Sequence, residues 1–124
     1  MKTRSAKNKG KRLQNYVRDC FRQQFKDILE DGDIESITMG EAGCDIKLSP
    51  YAKKLIPFDI ECKNQQNISF WQAIEQAEKN SSDDRIPMVI FKRNRSKEYC
   101  MLRFNDLLKL LYNKNINDEN RKEE

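Results

Sequence analysis

This 124-residue sequence predicts an α/β domain built on a mixed central β-sheet with helices packed against it. Three patterns lead there. Apolar residues recur every three or four positions from Leu13 to Leu29, the period of one helix face. Two short stretches, 44–48 and 58–64, alternate apolar and charged residues in the period of a strand. A compact apolar run, 86–93, follows a helical stretch, and a helix between two strands supplies the crossover that a parallel pair requires. A chain of this length holds one domain with a single core.

The elements follow in order. Residues 1–8 are polar and basic and are expected to be a flexible terminus, ahead of a domain over 9–112 and a charged tail over 113–124. A helix is predicted from Gly10, with Leu13, Val17, Cys20, Phe21, Phe25, Ile28 and Leu29 as its apolar stripe and Gly32 as its terminator. IESITM (34–39) is a first strand, GEAG (40–43) a turn, and CDIKL (44–48) a second strand with Ile46 and Leu48 opposite Asp45 and Lys47. SPYAKKLIP (49–57) is either a short helix capped at Ser49-Pro50 or a long hairpin loop. FDIECKN (58–64) is the third strand, and the short links make the first three an antiparallel meander. A helix follows over 68–79, with Trp71, Ile74, Ala77 and Glu78 bracketing one side. Trp71 is expected in a helix–sheet contact, with base stacking as the alternative. NSSDDR (80–85) is a loop, and 86–93 is a strand buried on both faces. NRSK (94–97) turns into a strand over 98–104, and Asn105 caps a last helix through Leu111.

Composition narrows the chemistry. Charged residues make up 35%, above the roughly 25% of ordinary globular chains, so much of the domain is wet surface. Net charge is +4, but residues 1–26 hold nine Lys or Arg (2, 4, 7, 9, 11, 12, 18, 22 and 26) against one acid, Asp19. A basic block of this kind points to a polyanion, most often nucleic acid; a solubilising tail is the alternative. No apolar run approaches the ~18 residues of a membrane span, and the basic start has no apolar segment behind it, so neither a membrane partner nor a secretory signal is expected. The cysteines at 20, 44, 62 and 100 contain no CxxC pair, which argues for unpaired buried thiols in a reducing cytosol rather than a zinc site. With no His, schemes built on Ser-His-Asp or Cys-His are excluded, and any catalysis falls to carboxylates, Lys, Tyr or a metal.

The alternation of FDIECKN puts Phe58, Ile60 and Cys62 on one strand face and Asp59, Glu61 and Lys63 on the other. If the second and third strands pair, Asp45 lies beside Glu61. Two carboxylates at that range repel by about 4 kcal/mol at an effective dielectric of 20, and a divalent cation offsets this. Carboxylates with a backbone carbonyl, here that of Cys62, are the oxygen ligands of Mg²⁺, for which Mn²⁺ substitutes. Such an ion polarises a phosphodiester, and Lys63 orients or deprotonates water or stabilises the charged phosphate. A surface salt-bridge ladder is the competing explanation, and it leaves Asp45 and Glu61 adjacent without a reason.

Gly43-Cys44-Asp45-Ile46 followed by Ile60-Glu61-Cys62-Lys63-Asn64-Gln65 resembles the motif of the PD-(D/E)xK nuclease superfamily. The resemblance implies a restriction-endonuclease-like fold in which Asp45 and Glu61 bind Mg²⁺ and Lys63 assists attack. The wider string, over roughly 9–112, is similar to small phage-type members related to archaeal Holliday junction resolvases. Gln76 resembles a Gln that some branches place near the active site. Archaeal-type resolvases carry a Glu on the first helix; Gln14 stands there in this chain, and Glu41 in the turn before Asp45 is the other candidate ligand. The implied function is Mg²⁺-dependent hydrolysis of DNA, with a four-way junction as substrate and a homodimer supplying two centres, in the cytoplasm of a bacterium or phage-infected host. A nicking or degradative nuclease on duplex DNA, or a non-catalytic binder that kept the fold, are the rivals. Lys9, Lys11 and Arg12 are the expected DNA contacts from the basic block. Lys92, Arg93, Arg95 and Lys97 form either a phosphate clamp or a plain charged hairpin turn.

Overall fold

The computed structural model describes residues 4–38 and 40–123; residues 1–3 of the expected flexible terminus, Met39 of the first strand and Glu124 of the tail lie outside them. The chain runs α1 (Arg4–Gln24), a 3-10 turn (Asp31–Asp33), β1 (Ile34–Ser36), β2 (Ile46–Leu48), α2 (Pro50–Leu55), β3 (Phe58–Asn64), α3 (Phe70–Lys79), β4 (Ile86–Lys92), β5 (Tyr99–Leu102) and α4 (Phe104–Glu123). The fold is α/β with a mixed sheet. β3 pairs parallel with β4, β4 pairs antiparallel with β5, and β1 and β2 form a separate antiparallel pair.

The three-strand meander stops at its second strand. β2 and β3 share no ladder, and one backbone bond, Asp45 N–H to the Ile60 carbonyl at 2.9 Å, stitches the two sheets together. The next backbone donor on that edge, Cys62 N–H, is taken by the Asp45 side chain at 2.7 Å, so a carboxylate stands where a further rung would be.

The three-stranded sheet is sandwiched between α1 and α3. Leu13 and Val17 of α1 bury against Ile60 and Cys62 of β3, Met88 and Ile90 of β4, and Ile34, Ile46 and Leu48 of the small sheet. On the opposite face Ala73 and Ala77 of α3 pack on Val89, with Ile74, Phe91 and Met101 around them. β4 therefore alternates Met88 and Ile90 toward one layer with Val89 toward the other, as a strand buried on both faces must. Short α2 is capped by Ser49, whose Oγ accepts the Ala52 N–H at 3.1 Å, which decides against the long loop.

Several expectations are corrected. α1 starts at Arg4 rather than Gly10, since nothing from Arg4 to Lys9 breaks a helix. It ends well before Gly32, loosening through turns in which Leu29 N–H still bonds the Phe25 carbonyl at 2.8 Å. α4 starts at Phe104, so Asn105 is inside it, and with no Gly or Pro to stop it the helix runs past Leu111 to Glu123. Trp71 is 80% exposed, because α3 turns its two alanines to the sheet and its indole away. All four cysteines are free; Cys62 is buried and Cys44 half-buried, whereas Cys20 and Cys100 are exposed.

Asp59 shares a strand with Glu61 and Lys63 but is held by a structural partner. Arg85 Nε donates to Asp59 Oδ1 at 3.0 Å, while its other nitrogens donate to the Lys53 and Phe58 carbonyls, each at 2.8 Å. This clip ties the α3–β4 link to β3 and α2. Arg85→Ala leaves the Asp59 carboxylate largely buried without its cation, and should lower the unfolding free energy by about 3 kcal/mol in urea titrations. An unchanged midpoint would contradict the clip.

Candidate active site

The site is built on the α3-facing side and the free edge of β3. Glu61 is 2% exposed, and it is buried because α3 lies close. Ala73 and Ala77 are small enough to let that helix approach the sheet. Four helix residues rise about 6 Å. Two strand residues advance about 6.6 Å. Gln76 and Asn80, one helical turn apart, are therefore in step with Lys63 and Glu61. Gln76 Oε1 accepts from Lys63 Nζ at 2.8 Å, and Asn80 Nδ2 donates to Glu61 Oε1 at 2.8 Å. Asn80 is the C-terminal cap of α3, its own N–H returning to the Gln76 carbonyl at 3.0 Å. Cys44 Sγ donates to the Asn80 carbonyl at 3.3 Å. Burial, then the Asp59, Glu61 and Asp45 carboxylates, push that thiol up to about 11, which keeps it a neutral donor.

Asp45 arrives from the other direction. Gly43 takes φ +108°, a conformation that strains any side-chain-bearing residue, and delivers the chain to β2. The Asp45 carbonyl accepts from Ile37 N–H at 3.0 Å and its Oδ2 accepts from Cys62 N–H at 2.7 Å. In a strand the N–H and C=O of one residue point to the same edge. The Cys62 carbonyl thus faces the Asp45 side of β3. The Asp45 and Glu61 carboxyls both line the same cleft, near enough for the Asp45 charge to act on Glu61. Burial above all, with the Asp45 charge, raises Glu61 from 4.5 to about 7 against the lowering pull of Asn80 and Lys63.

Asp45, Glu61, Cys62, Lys63, Gln76, Gln14, Glu41 and Lys11 all line one cleft of about 340 Å³. Gln14 Oε1 is buried there with no hydrogen-bond partner, an acceptor without a donor. Glu41 is differently placed: its Oε1 accepts from Thr38 N–H at 3.0 Å, a bond that holds its pKa below the ordinary value and leaves it at the exposed rim. Lys11 Nζ is spent on the Ile37 carbonyl at 2.8 Å. Among the described residues no three acidic, Cys or His side chains gather into a metal cluster. The available donors are two carboxylates, the Gln14 amide oxygen and the Cys62 carbonyl. All are hard oxygens, the set that suits Mg²⁺ or Mn²⁺ rather than zinc, and the orphaned Gln14 oxygen fits such an ion.

Lys9 and Arg12 of α1 and Lys92 and Arg95 of the β4–β5 hairpin line a neighbouring groove of about 610 Å³, together with Asn64 and Glu98. Asn64 and Lys63 are successive strand residues, so one faces this basic groove and the other the acidic cleft. Arg93 lines a separate recess, and Lys97 lines neither the groove nor the cleft. Sequence reasoning missed Asn80, whose only signal was its place four residues beyond Gln76.

The family model described as "Phage putative PDDEXK endonuclease" matches residues 5–123. No curated protein and no solved structure matches.

The raised Glu61 has a consequence for stability. A carboxyl whose folded pKa exceeds its unfolded one has its full stabilising effect below about 4.5 and loses it as pH climbs through about 7. Glu61→Gln keeps an acceptor for Asn80 and offers Asp45 a donor without that penalty. In EDTA at pH 8 it should raise the unfolding free energy by about 2–3 kcal/mol, and at pH 4 leave it unchanged. Urea titrations at both pH values measure this; equal effects at the two would contradict the burial of an ionising Glu61.

Proposed function

This chain belongs to the family of phage PD-(D/E)xK endonucleases, and on that premise we propose a divalent-cation-dependent endonuclease of DNA with Asp45, Glu61 and Lys63 as its cleavage centre. One observation carries the reading: two neighbouring carboxyls, one of them buried, line an open cleft beside an ammonium that α3 holds in place. Asp45, Glu61, the Gln14 amide oxygen and the Cys62 carbonyl would hold Mg²⁺, with Mn²⁺ substituting. Such an ion, when bound, supplies Lewis-acid polarisation of the phosphodiester and neutralises its charge.

The chain's own residues do the rest. Asn80 fixes the Glu61 carboxylate, and Cys62 N–H fixes that of Asp45, so both are preorganised before substrate arrives. Gln76 Oε1 accepts a hydrogen bond from one of the three Lys63 N–H groups, leaving two donors to orient a water or to stabilise the charged phosphate. Lys9, Arg12, Lys92 and Arg95 line the adjoining groove and bind the sugar–phosphate backbone, positioning the strand without reading its sequence.

For the substrate, a four-way junction cut by a C₂ homodimer is the reading we favour: two symmetric cuts need two centres, and each chain has one. The exposed Phe104, Leu107, Leu108, Leu111 and Tyr112 along α4 supply an apolar stripe suited to pairing two copies. No described helix is long and apolar enough to cross a membrane, in keeping with work on DNA in the cytoplasm of an infected cell.

The test is incubation with a four-way junction, linear duplex and supercoiled plasmid, in Mg²⁺, Mn²⁺ or EDTA. Paired, symmetric nicks on the junction in either metal and none in EDTA are expected. Cleavage of duplex alone favours the nicking rival, and no cleavage of any substrate favours the non-catalytic binder. Asp45→Asn should slow cutting by at least about a hundredfold while still binding DNA; a variant cutting at the wild-type rate removes Asp45 from the centre. Binding should weaken steeply with salt, and Lys9→Ala with Arg95→Ala should lower the slope of log K against log salt by about two. An unaltered slope would take the groove out of the DNA path.

A further inference from the structure

Beyond the acidic cleft and the basic groove, a recess of about 380 Å³ opens between the start of α3 and the β4–β5 hairpin. Its size falls within the roughly 300–1,000 Å³ of small-ligand sites. Phe91 and Tyr99 stack in it at 5.9 Å and 28°, and Phe70 meets Phe91 edge-on at 5.1 Å and 76°. Phe70 and Tyr99 remain about half exposed, at 47% and 54%, unlike aromatics that serve only a core. Gln65 and Asn67 also line the recess, and their side-chain amides bond no described residue. Arg93 completes it, and its guanidinium has no ion pair among the described residues.

We infer that this recess holds one unpaired nucleobase of the DNA substrate, beside the bond to be cut. A nucleotide offers a π-face, a hydrogen-bonding edge and a phosphate, and the recess presents aromatic rings, free amides and a guanidinium in one place. A purely apolar partner would leave Gln65, Asn67 and Arg93 desolvated and unpaired. The recess is also continuous with the catalytic cleft. A trough lined by Lys63, Gln65, Ile68 and Gln76 shares Lys63 and Gln76 with the cleft and Gln65 and Ile68 with the recess. Bases inside an intact duplex are stacked and out of reach; a base at a branch, bulge or gap is free to enter at little unstacking cost. The recess thereby makes interrupted or branched DNA the preferred substrate class. The inference rests on the endonuclease reading, because it places the base next to that centre.

The experiment is equilibrium binding in EDTA, with no cleavage involved, of two DNAs: a duplex carrying one bulged 2-aminopurine and the same duplex fully paired. The bulged DNA should bind about tenfold more tightly, with the 2-aminopurine fluorescence quenched by stacking. Tyr99→Ala should erase both the preference and the quenching and leave paired-duplex affinity unchanged, whereas Tyr99→Phe retains both. Equal affinity of wild type for the two DNAs overturns the inference. So does a Tyr99→Ala variant, folded by circular dichroism, that keeps the wild-type preference and quenching. Cleavage assays are read separately: an inactive protein that still selects the bulge sinks the endonuclease reading alone, and an active one without that selection sinks the subsite alone.

Discussion

The bond from Cys62 N–H to the Asp45 carboxylate is the constraint on which the rest of the cleft depends. It is where two sheets meet without merging. Had β2 continued alongside β3 as a ladder, Cys62 would bond to backbone and the strand edge would be closed. Because a side chain takes that donor, the edge is satisfied and yet the Cys62 carbonyl remains turned toward the acids. Asp45 is thereby held from three directions, by Ile60, Ile37 and Cys62, although it follows a glycine-bearing turn. Its position relative to Glu61 is a property of the core beneath it, where Ile46, Ile60 and Cys62 pack on Leu13 and Val17.

The opposite wall follows from the smallness of Ala73 and Ala77. A helix that approaches the sheet this closely buries Glu61 and at the same moment brings Asn80 within bonding distance of it. Desolvation and its partial remedy come from one packing event. The result is an acid whose ionisation is strongly environment-dependent, beside a second acid in the same cleft. A stability-driven fold has no use for such an arrangement, and functional sites commonly retain one. Asp59 is the contrast. It lies on the same strand face and is also largely buried, but a guanidinium and two serines satisfy it, so it serves architecture.

Much of this was legible from local pattern. The two-residue period of 58–64 assigned Glu61 and Lys63 to one face and Ile60 and Cys62 to the other, because a strand's facing is a local property. The apolar run of β4 announced burial on both sides for the same reason. Contacts that depend on tertiary placement were not legible. Asn80 meets Glu61 across 19 residues, and whether it does so depends on where α3 stops and how it is rotated. Trp71 misled because bulk and hydrophobicity pointed inward, whereas helix–sheet spacing selected the two alanines instead. The failed meander has a similar origin: nothing in CDIKL distinguishes a strand that pairs on both edges from one whose first side chain replaces a rung. Gln14 was identified by resemblance alone, and its orphaned oxygen supplies the physical reason to look at it.

The register between α3 and β3 also limits how this chain can vary. Removing one residue between Gln76 and Asn80 would rotate everything beyond it by about 100° and carry the asparagine away from its acid. Adding one would do the same in the opposite sense. Length changes among descendants of this gene are therefore expected to be purged from the single helical turn between the amides.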